Sequence, residues 1–383
     1  MPRNLVVLGS TGSIGRQTLD IVRAFPDEIN VFGLASHSNA ALLAEQARAH
    51  GPREVALVAA SADGHDFGKS RVLRGAQAMT EMCERTEVDL IVIGTAGSAG
   101  LLPTLRALRA GKRVALANKE TLVMAGPVID RELKAGHGSL VPIDSEHSAL
   151  WQCLQGEPPD SVERLILTAS GGALRALSPA ELADVTPEQA LRHPTWSMGR
   201  KITVDCANLM NKGLEAIEAR WLFDVPLERI DVLMHPQSIV HSLVAFRDGS
   251  VKAQMGLPDM RLPIQYALSH PARWVNHLPR LDLASIGALN FAPVDYGRYP
   301  ALKLALEAGR RGGTYPAALC AADEVAVEAF LRGLTRFTDI PAVVQDVLDG
   351  HEDCGSPSLD DILGADERAR ARARLSLSSQ AHS

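Results

Sequence analysis

The stretch LVVLGSTGSIGRQTLDIV, residues 5–22, decides the fold. Its apolar head predicts a buried strand over residues 4–8, and residues 13–25 read as a helix. Between them lie Gly9, Gly12 and Gly15, a GxxGxxG spacing and not the GxGxxG of the standard dinucleotide fingerprint. The context carries more than the spacing. A strand, a glycine turn and a helix in that order present backbone N–H groups and a positive dipole end to a phosphate. Thr11 and Ser13 add hydroxyls. A tight turn with close helix packing is the ligand-free reading of the same glycines.

The pattern then repeats. Strands near 30–35, 55–59, 88–93 and 113–117 alternate with helices near 39–50 and 99–110. Such alternation predicts parallel pairing and a Rossmann-like doubly wound α/β sheet, with an NADPH-binding domain over 1–145. The second strand ends LASHSNA, residues 34–40, with no acid to bond the ribose of NAD. That absence favours NADPH, with Ser38 and Asn39 at the same edge.

The character changes after residue 145. ERLILTAS, RIDVLMH, SIVHSLVAF and SVKAQM read as strands, helices are expected at 178–191 and 211–223, and Asp248-Gly249 signals a hairpin. These define a central α+β catalytic domain over 146–270. Residues 271–300 read as a linker, and 301–378 as a C-terminal helical domain. Its tail, with Arg368, Arg370, Arg372 and Arg374, reads as a solvated end.

Composition narrows the function classes. The 383 residues are 46% hydrophobic and carry a net charge of −6 without a long basic block, which argues against nucleic acid as a partner. No apolar run approaches the ~18 residues of a membrane span. The N-terminal apolar run is too short for a signal peptide. Five scattered cysteines without a CxxC pair suit a reducing cytoplasm and give no zinc or disulfide signature.

The candidate chemistry lies in short polar stretches. In PIDSEHSAL, residues 142–150, Asp144 and Glu146 would face one side of a strand and could hold Mg²⁺ or Mn²⁺, a solvated edge being the other reading. Asn211, Lys212 and Glu215 head a helix, where Glu215 also suits first-turn dipole complementarity; Glu218 reads as an exposed face. Asn118, Lys119 and Glu120 follow a buried strand, at the edge where open α/β sheets bind ligands. Lys119 there either meets a substrate oxyanion or pairs with Glu120. Ser170, before Gly171 and Gly172, marks an anion-binding loop or a plain turn. RHPTWSMGRKI, residues 192–202, sets Trp196 and Met198 among His193, Thr195, Ser197, Arg200 and Lys201, which reads as a lid over a ligand. His235 reads as a structural histidine.

These stretches, with LGSTGSIG, ANKET, HPQSIVHS, PDMRLPI, RYPALKLA and RFTDI, make the chain resemble the 1-deoxy-D-xylulose 5-phosphate reductoisomerase family over nearly its whole length. The resemblance implies a homodimeric enzyme that rearranges a ketose phosphate and reduces it with NADPH in the non-mevalonate isoprenoid route. It implies Thr11, Gly12, Ser13, Ile14, Asn118, Glu120 and Gly199 at the cofactor. It implies Asp144, Glu146 and Glu215 at Mg²⁺ or Mn²⁺, with Co²⁺ also admissible, and catalytic roles for these acids and Lys119. Lys119, Ser145, Glu146, Ser170, His193, Asn211, Lys212 and Glu215 would hold substrate, with Trp196 over it. The chain departs from the family pattern at Cys206, where a serine that reaches the substrate phosphate is usual, and at His37, Ser38, Asn208 and Asp323.

Overall fold

The computed structural model describes residues 2–59, 61–196 and 198–380. In chain order the first elements are β1 (Arg3–Leu8), α1 (Ser13–Ala24), β2 (Ile29–Ser36), α2 (Ala40–His50), β3 (Glu54–Leu57), β4 (Arg71–Arg74), α3 (Ala76–Glu84) and β5 (Leu90–Ile93). There follow α4 (Leu101–Arg109), β6 (Arg113–Leu116), α5 (Lys119–Lys134), β7 (Ser139–Pro142), α6 (Ser145–Leu154) and β8 (Val162–Ala169). Two short helices, α7 (Pro179–Leu182) and α8 (Pro187–Ala190), lead to α9 (Arg200–Asn208) and α10 (Met210–Phe223). Next come β9 (Ile230–Met234), β10 (Val240–Phe246), β11 (Val251–Met255), α11 (Arg261–Ser269), α12 (Leu283–Ile286) and β12 (Ala292–Pro293). The chain closes with α13 (Pro300–Arg311), α14 (Tyr315–Leu331), α15 (Ile340–Asp349) and α16 (Leu359–Gln380).

The chain forms two compact units. One takes the chain up to Thr121 with Ile129–Ser148 and Asp259–Leu278. The other takes Leu122–Val128, Ala149–Pro258 and the chain from Pro279 onward.

The first unit is built on a seven-stranded parallel sheet in the order β4-β3-β2-β1-β5-β6-β7. Its central strands are continuous apolar runs, LVVL in β1 and LIVI in β5, because both faces are covered. The strand order reverses on either side of β1, which places a crevice at the C-terminal edge between β1 and β5. Helix α11 packs against α1 in this unit.

The second unit holds a mixed sheet in the order β11-β10-β8-β9-β12. The hairpin at Asp248-Gly249 joins β10 to β11, with Gly249 at φ +88°. One sheet face, with Leu165, Leu167, Val232 and Val244, enters a core shared with Ala216 of α10 and Leu302 and Leu306 of α13. Within the stretch read as a linker, β12 pairs with β9 and extends the sheet. The C-terminal helices pack α14 against α15 and α16. In their tail Arg368, Arg372 and Arg374 are exposed, as expected of a solvated end, while Arg370 is partly buried. Arg370 pairs with Glu324 (2.6 Å) and Asp366 (2.7 Å), and Arg372 with Asp346 (2.9 Å). Among the described residues no helix is long and apolar enough to cross a membrane.

Candidate active site

In the first unit the glycine turn is fixed by packing at its ends and open in its middle. A Cβ on Gly9, which sits at φ +79°, would lie 2.5 Å from the Gly94 carbonyl oxygen. A Cβ on Gly15 would lie 2.3 Å from the Gly9 oxygen. These two glycines let β1, β5 and α1 close on one another. Gly12 is exposed and caps α1 without a side-chain hydrogen bond, so the helix terminus faces outward as an anion cradle. Thr11 Oγ1 shares a hydrogen bond of 2.8 Å with Ser36 Oγ at the end of β2. Ser38 and Asn39 follow that strand, and Asn39 caps α2 by accepting from Leu42 N–H at 3.1 Å. The cradle fits a dinucleotide pyrophosphate in residue type and in backbone exposure.

Further along the same edge, β6 and β7 are neighbouring parallel strands. Each ends in a helix, so Lys119 at the head of α5 and Asp144 ahead of α6 meet: Lys119 Nζ lies 2.8 Å from Asp144 Oδ2. The lysine is 5% exposed. Asn118 caps α5, accepting from the Thr121 N–H (2.9 Å) and hydroxyl and donating to the Thr95 and Gly97 carbonyls (2.9 Å each). All four of its amide hydrogen-bond positions are thus committed to shaping the loop. Glu120 lies in the first turn of α5.

Asp144 and Glu146 present carboxylate oxygens within 4.8 Å of each other, but not by strand alternation. Strand β7 ends at Pro142, and α6 begins at Ser145. Asp144 Oδ1 accepts from the N–H of Ser145, the first residue of α6, at 3.0 Å, and Glu146 sits in the helix's first turn. Ser145 Oγ donates to Glu146 at 2.5 Å. His147, given no role by the sequence reading, is fully buried with Nδ1 3.8 Å from Asp144. An all-oxygen pair beside a buried lysine suits a hard divalent cation.

In the second unit, β8 delivers Ser170, followed by Gly171 (φ +81°) and Gly172 (φ +64°). A Cβ on Gly172 would lie 2.6 Å from Ala207 Cα and 2.8 Å from the Cys206 carbonyl carbon, so this loop presses on the end of α9. His193 Nδ1 accepts from Thr195 N–H (3.1 Å) and Trp196 N–H (3.0 Å). Its Nε2, 3.1 Å from Ser170 Oγ, is then the protonated nitrogen and donates. Gly172 N–H also donates to Ser170 Oγ at 3.2 Å, which leaves the Ser170 hydroxyl proton to be given to a ligand. The Trp196 ring lies 6.2 Å from that of His241. Ser197, within the expected lid, lies outside the described residues. Gly199 caps α9 and Cys206 lies half-buried near its end.

Helix α10 holds a second lysine–carboxylate pair. Lys212 Nζ and Asn211 Nδ2 each lie 2.5 Å from a Glu215 oxygen, and all three residues are buried. Glu218 is 1% exposed, against the exposed face expected for it, because α10 is buried on every side from Met210 to Ala219. His235 is a structural histidine: Nδ1 donates to the Asn290 carbonyl at 2.9 Å and Nε2 accepts from Ile239 and Val240 N–H at 3.1 Å.

A nucleotide cradle at the switch point of a parallel sheet, joined along that edge by acids suited to a cation, defines a dinucleotide-dependent α/β enzyme with metal-assisted chemistry. Models of the 1-deoxy-D-xylulose 5-phosphate reductoisomerase match residues 5–126, with the C-terminal domains of that family matching 140–223 and 255–372. The reductoisomerase of Thermomicrobium roseum is 53% identical, with 96% of both chains covered. The solved reductoisomerase of Zymomonas mobilis in complex with NADPH is 40% identical with a TM-score of 0.91, covering 98% of this chain and 99% of that one. A solved reductoisomerase in complex with NADPH, fosmidomycin and magnesium is 37% identical with a TM-score of 0.93, covering 98% of both. The chain belongs to the 1-deoxy-D-xylulose 5-phosphate reductoisomerase family.

Proposed function

We infer that this chain converts 1-deoxy-D-xylulose 5-phosphate to 2-C-methyl-D-erythritol 4-phosphate, by rearrangement and NADPH-dependent reduction with a divalent cation, in isoprenoid synthesis. The observation that carries this reading is the pair of buried Lys119 with partly buried Asp144, beside Glu146 at the sheet edge, in a chain about half identical to reductoisomerases throughout.

Thr11, Gly12, Ser13 and Ile14 cradle the NADPH phosphates, Ser38 and Asn39 stand at the ribose edge, and Asn118, Glu120 and Gly199 complete the site. Asp144, Glu146 and Glu215 hold Mg²⁺ or Mn²⁺, with Co²⁺ a substitute. When bound, the cation acts as a Lewis acid on the substrate's carbonyl and hydroxyl oxygens and NADPH supplies the hydride. Lys119 stabilises developing oxyanion charge from a fixed, water-poor position. Asn211 and Lys212 orient Glu215 and meet the substrate. Ser145 touches the substrate between the two acids. Ser170, oriented by His193, donates its hydroxyl, and Cys206 stands at the phosphate end. Trp196 covers the substrate and keeps water out.

The enzyme works in the cytoplasm as a homodimer. The outer face of the second unit's sheet supports the pairing: Ile166, Leu233, Leu243 and Ala245 alternate with core-facing residues and are only partly buried.

The test is NADPH oxidation with 1-deoxy-D-xylulose 5-phosphate, with Mg²⁺ or Mn²⁺ and again after chelation. Turnover that vanishes on chelation and returns with metal is expected. Turnover indifferent to chelation refutes the carboxylate assignment. No turnover in a folded, NADPH-binding protein refutes the function.

A further inference from the structure

Helix α9 starts directly behind the loop that carries Trp196 and ends near Cys206. Its second residue, Lys201, lies 2.8 Å from Asp205 Oδ2, one turn on, and 2.8 Å from Asp323 Oδ2 in the middle of α14. The lysine side chain is 26% exposed, but those of Asp205 and Asp323 are 2% and 0% exposed. This arrangement is opposed by local electrostatics. A lysine in the first turn of a helix meets the positive end of the dipole. A wholly buried aspartate in the middle of a helix carries a large desolvation penalty. The ammonium joins two buried carboxylates on separate helices, Asp205 of α9 and Asp323 of α14.

We propose that Lys201, Asp205 and Asp323 are positioning residues for substrate binding, an ion triad that fixes the start of α9 against α14. The triad sets the point from which the chain runs back to Trp196 and the angle at which α9 carries Cys206 toward the Ser170 loop. Asp323 cannot release Lys201 without leaving a buried charge uncompensated, so the tie is permanent and not a switch. The inference rests on the substrate reading above for its kinetic consequence, though not for its structural one.

The test separates the tie from the mere burial of charge. Lys201→Met breaks the tie and strands Asp205 and Asp323; Lys201→Met with Asp205→Asn and Asp323→Asn breaks the tie without a stranded charge. Three readouts apply to each: Tm, KM and kcat for 1-deoxy-D-xylulose 5-phosphate, and native-state trypsin cleavage after Arg192, a bond the substitutions leave unaltered. Lys201→Met is expected to lower Tm, to raise KM about tenfold with a smaller change in kcat, and to speed cleavage about tenfold. The triple variant is expected to regain Tm while KM and cleavage stay high. Recovery of KM and loop protection together with Tm overturns the proposal and makes the triad structural only. Unchanged cleavage in Lys201→Met overturns it as well. Should the unaltered chain fail to turn over the substrate, the functional reading falls, and the cleavage comparison still decides the triad.

Discussion

Gly213 sits in α10 between Lys212 and Glu215, where a Cβ would lie 2.3 Å from the Ala305 Cβ of α13. Carbon atoms in contact rest about 3.5–4.0 Å apart, so Gly213→Ala must part the two helices locally by more than about 1 Å. Two energies oppose each other. Alanine favours a helix interior by about 1 kcal/mol over glycine. Overpacking of a tight contact costs about 1–3 kcal/mol. The net loss of stability is therefore small, about 0–2 kcal/mol. Activity is far more sensitive, because α10 carries Asn211, Lys212 and Glu215 on the turns flanking the contact. A displacement of about 1 Å in positioning residues can lower kcat/KM about 100-fold. Gly213→Ala should thus fold, show a modest drop in Tm, and lose about two orders of magnitude in kcat/KM. Adding Ala305→Gly removes the opposing Cβ and should restore most of the activity despite its own helix penalty of about 1 kcal/mol. A single variant within about twofold of the unaltered enzyme refutes the steric argument. So does a double variant as inactive as the single one.

Two further outcomes follow from individual side chains. Cys206→Ser replaces a weak thiol donor with a hydroxyl at the proposed phosphate end. KM should hold or fall, by up to about tenfold for one improved bond to a charged acceptor, and a clear rise in KM contradicts the placement. In the helical region, burial holds the His351 imidazole below its ordinary 6.5, with Arg368 and Arg311 acting in the same direction. The unfolded chain then binds the proton more readily, so this contribution is present above pH 6.5 and lost as pH falls below it. Tm should decline from about pH 7.5 to about pH 5.5, and His351→Gln should flatten that decline; equal slopes in both proteins refute the linkage.

Much of the first unit was legible because buried parallel strands are apolar runs. LVVL, LIVI and RVAL stand out against the helices between them. Strand β4 and helix α3 were not, since RVLR is an edge strand with exposed arginines and α3 spans only 9 residues. The residue types of the acidic stretch were legible and its geometry was not. Asp144 was read on a strand, yet it stands directly ahead of α6, and its backbone carbonyl accepts from Ser148 N–H at 2.8 Å to open that helix. Glu218 was misjudged by a rule that works for surface helices. Helix α10 is enclosed by the sheet and α13, and no periodicity along MNKGLEAIEARWLF reports how many neighbours a helix has. The half of the triad at Lys201 and Asp205 has a readable spacing of four, but Asp323 lies 122 residues further from Lys201 and only the fold joins them.

The two lysine–carboxylate pairs bear on how any mutant of this enzyme must be read. Asp144 has Lys119, and Glu215 has Lys212, each within its own compact unit; both lysines and Glu215 are buried and Asp144 is partly buried. Two of the three acids proposed for the cation thus already face an ammonium group, which helps each unit fold with these charges inside. Removing either lysine leaves a carboxylate uncompensated, at about 3–5 kcal/mol. A loss that large is a substantial share of a domain's total stability of about 5–15 kcal/mol. An inactive Lys119 or Lys212 variant is therefore ambiguous on kinetics alone. The informative variants are those that leave the pairs intact and shift them, which is the reason the helix contact at Gly213, and not a lysine, is the decisive perturbation.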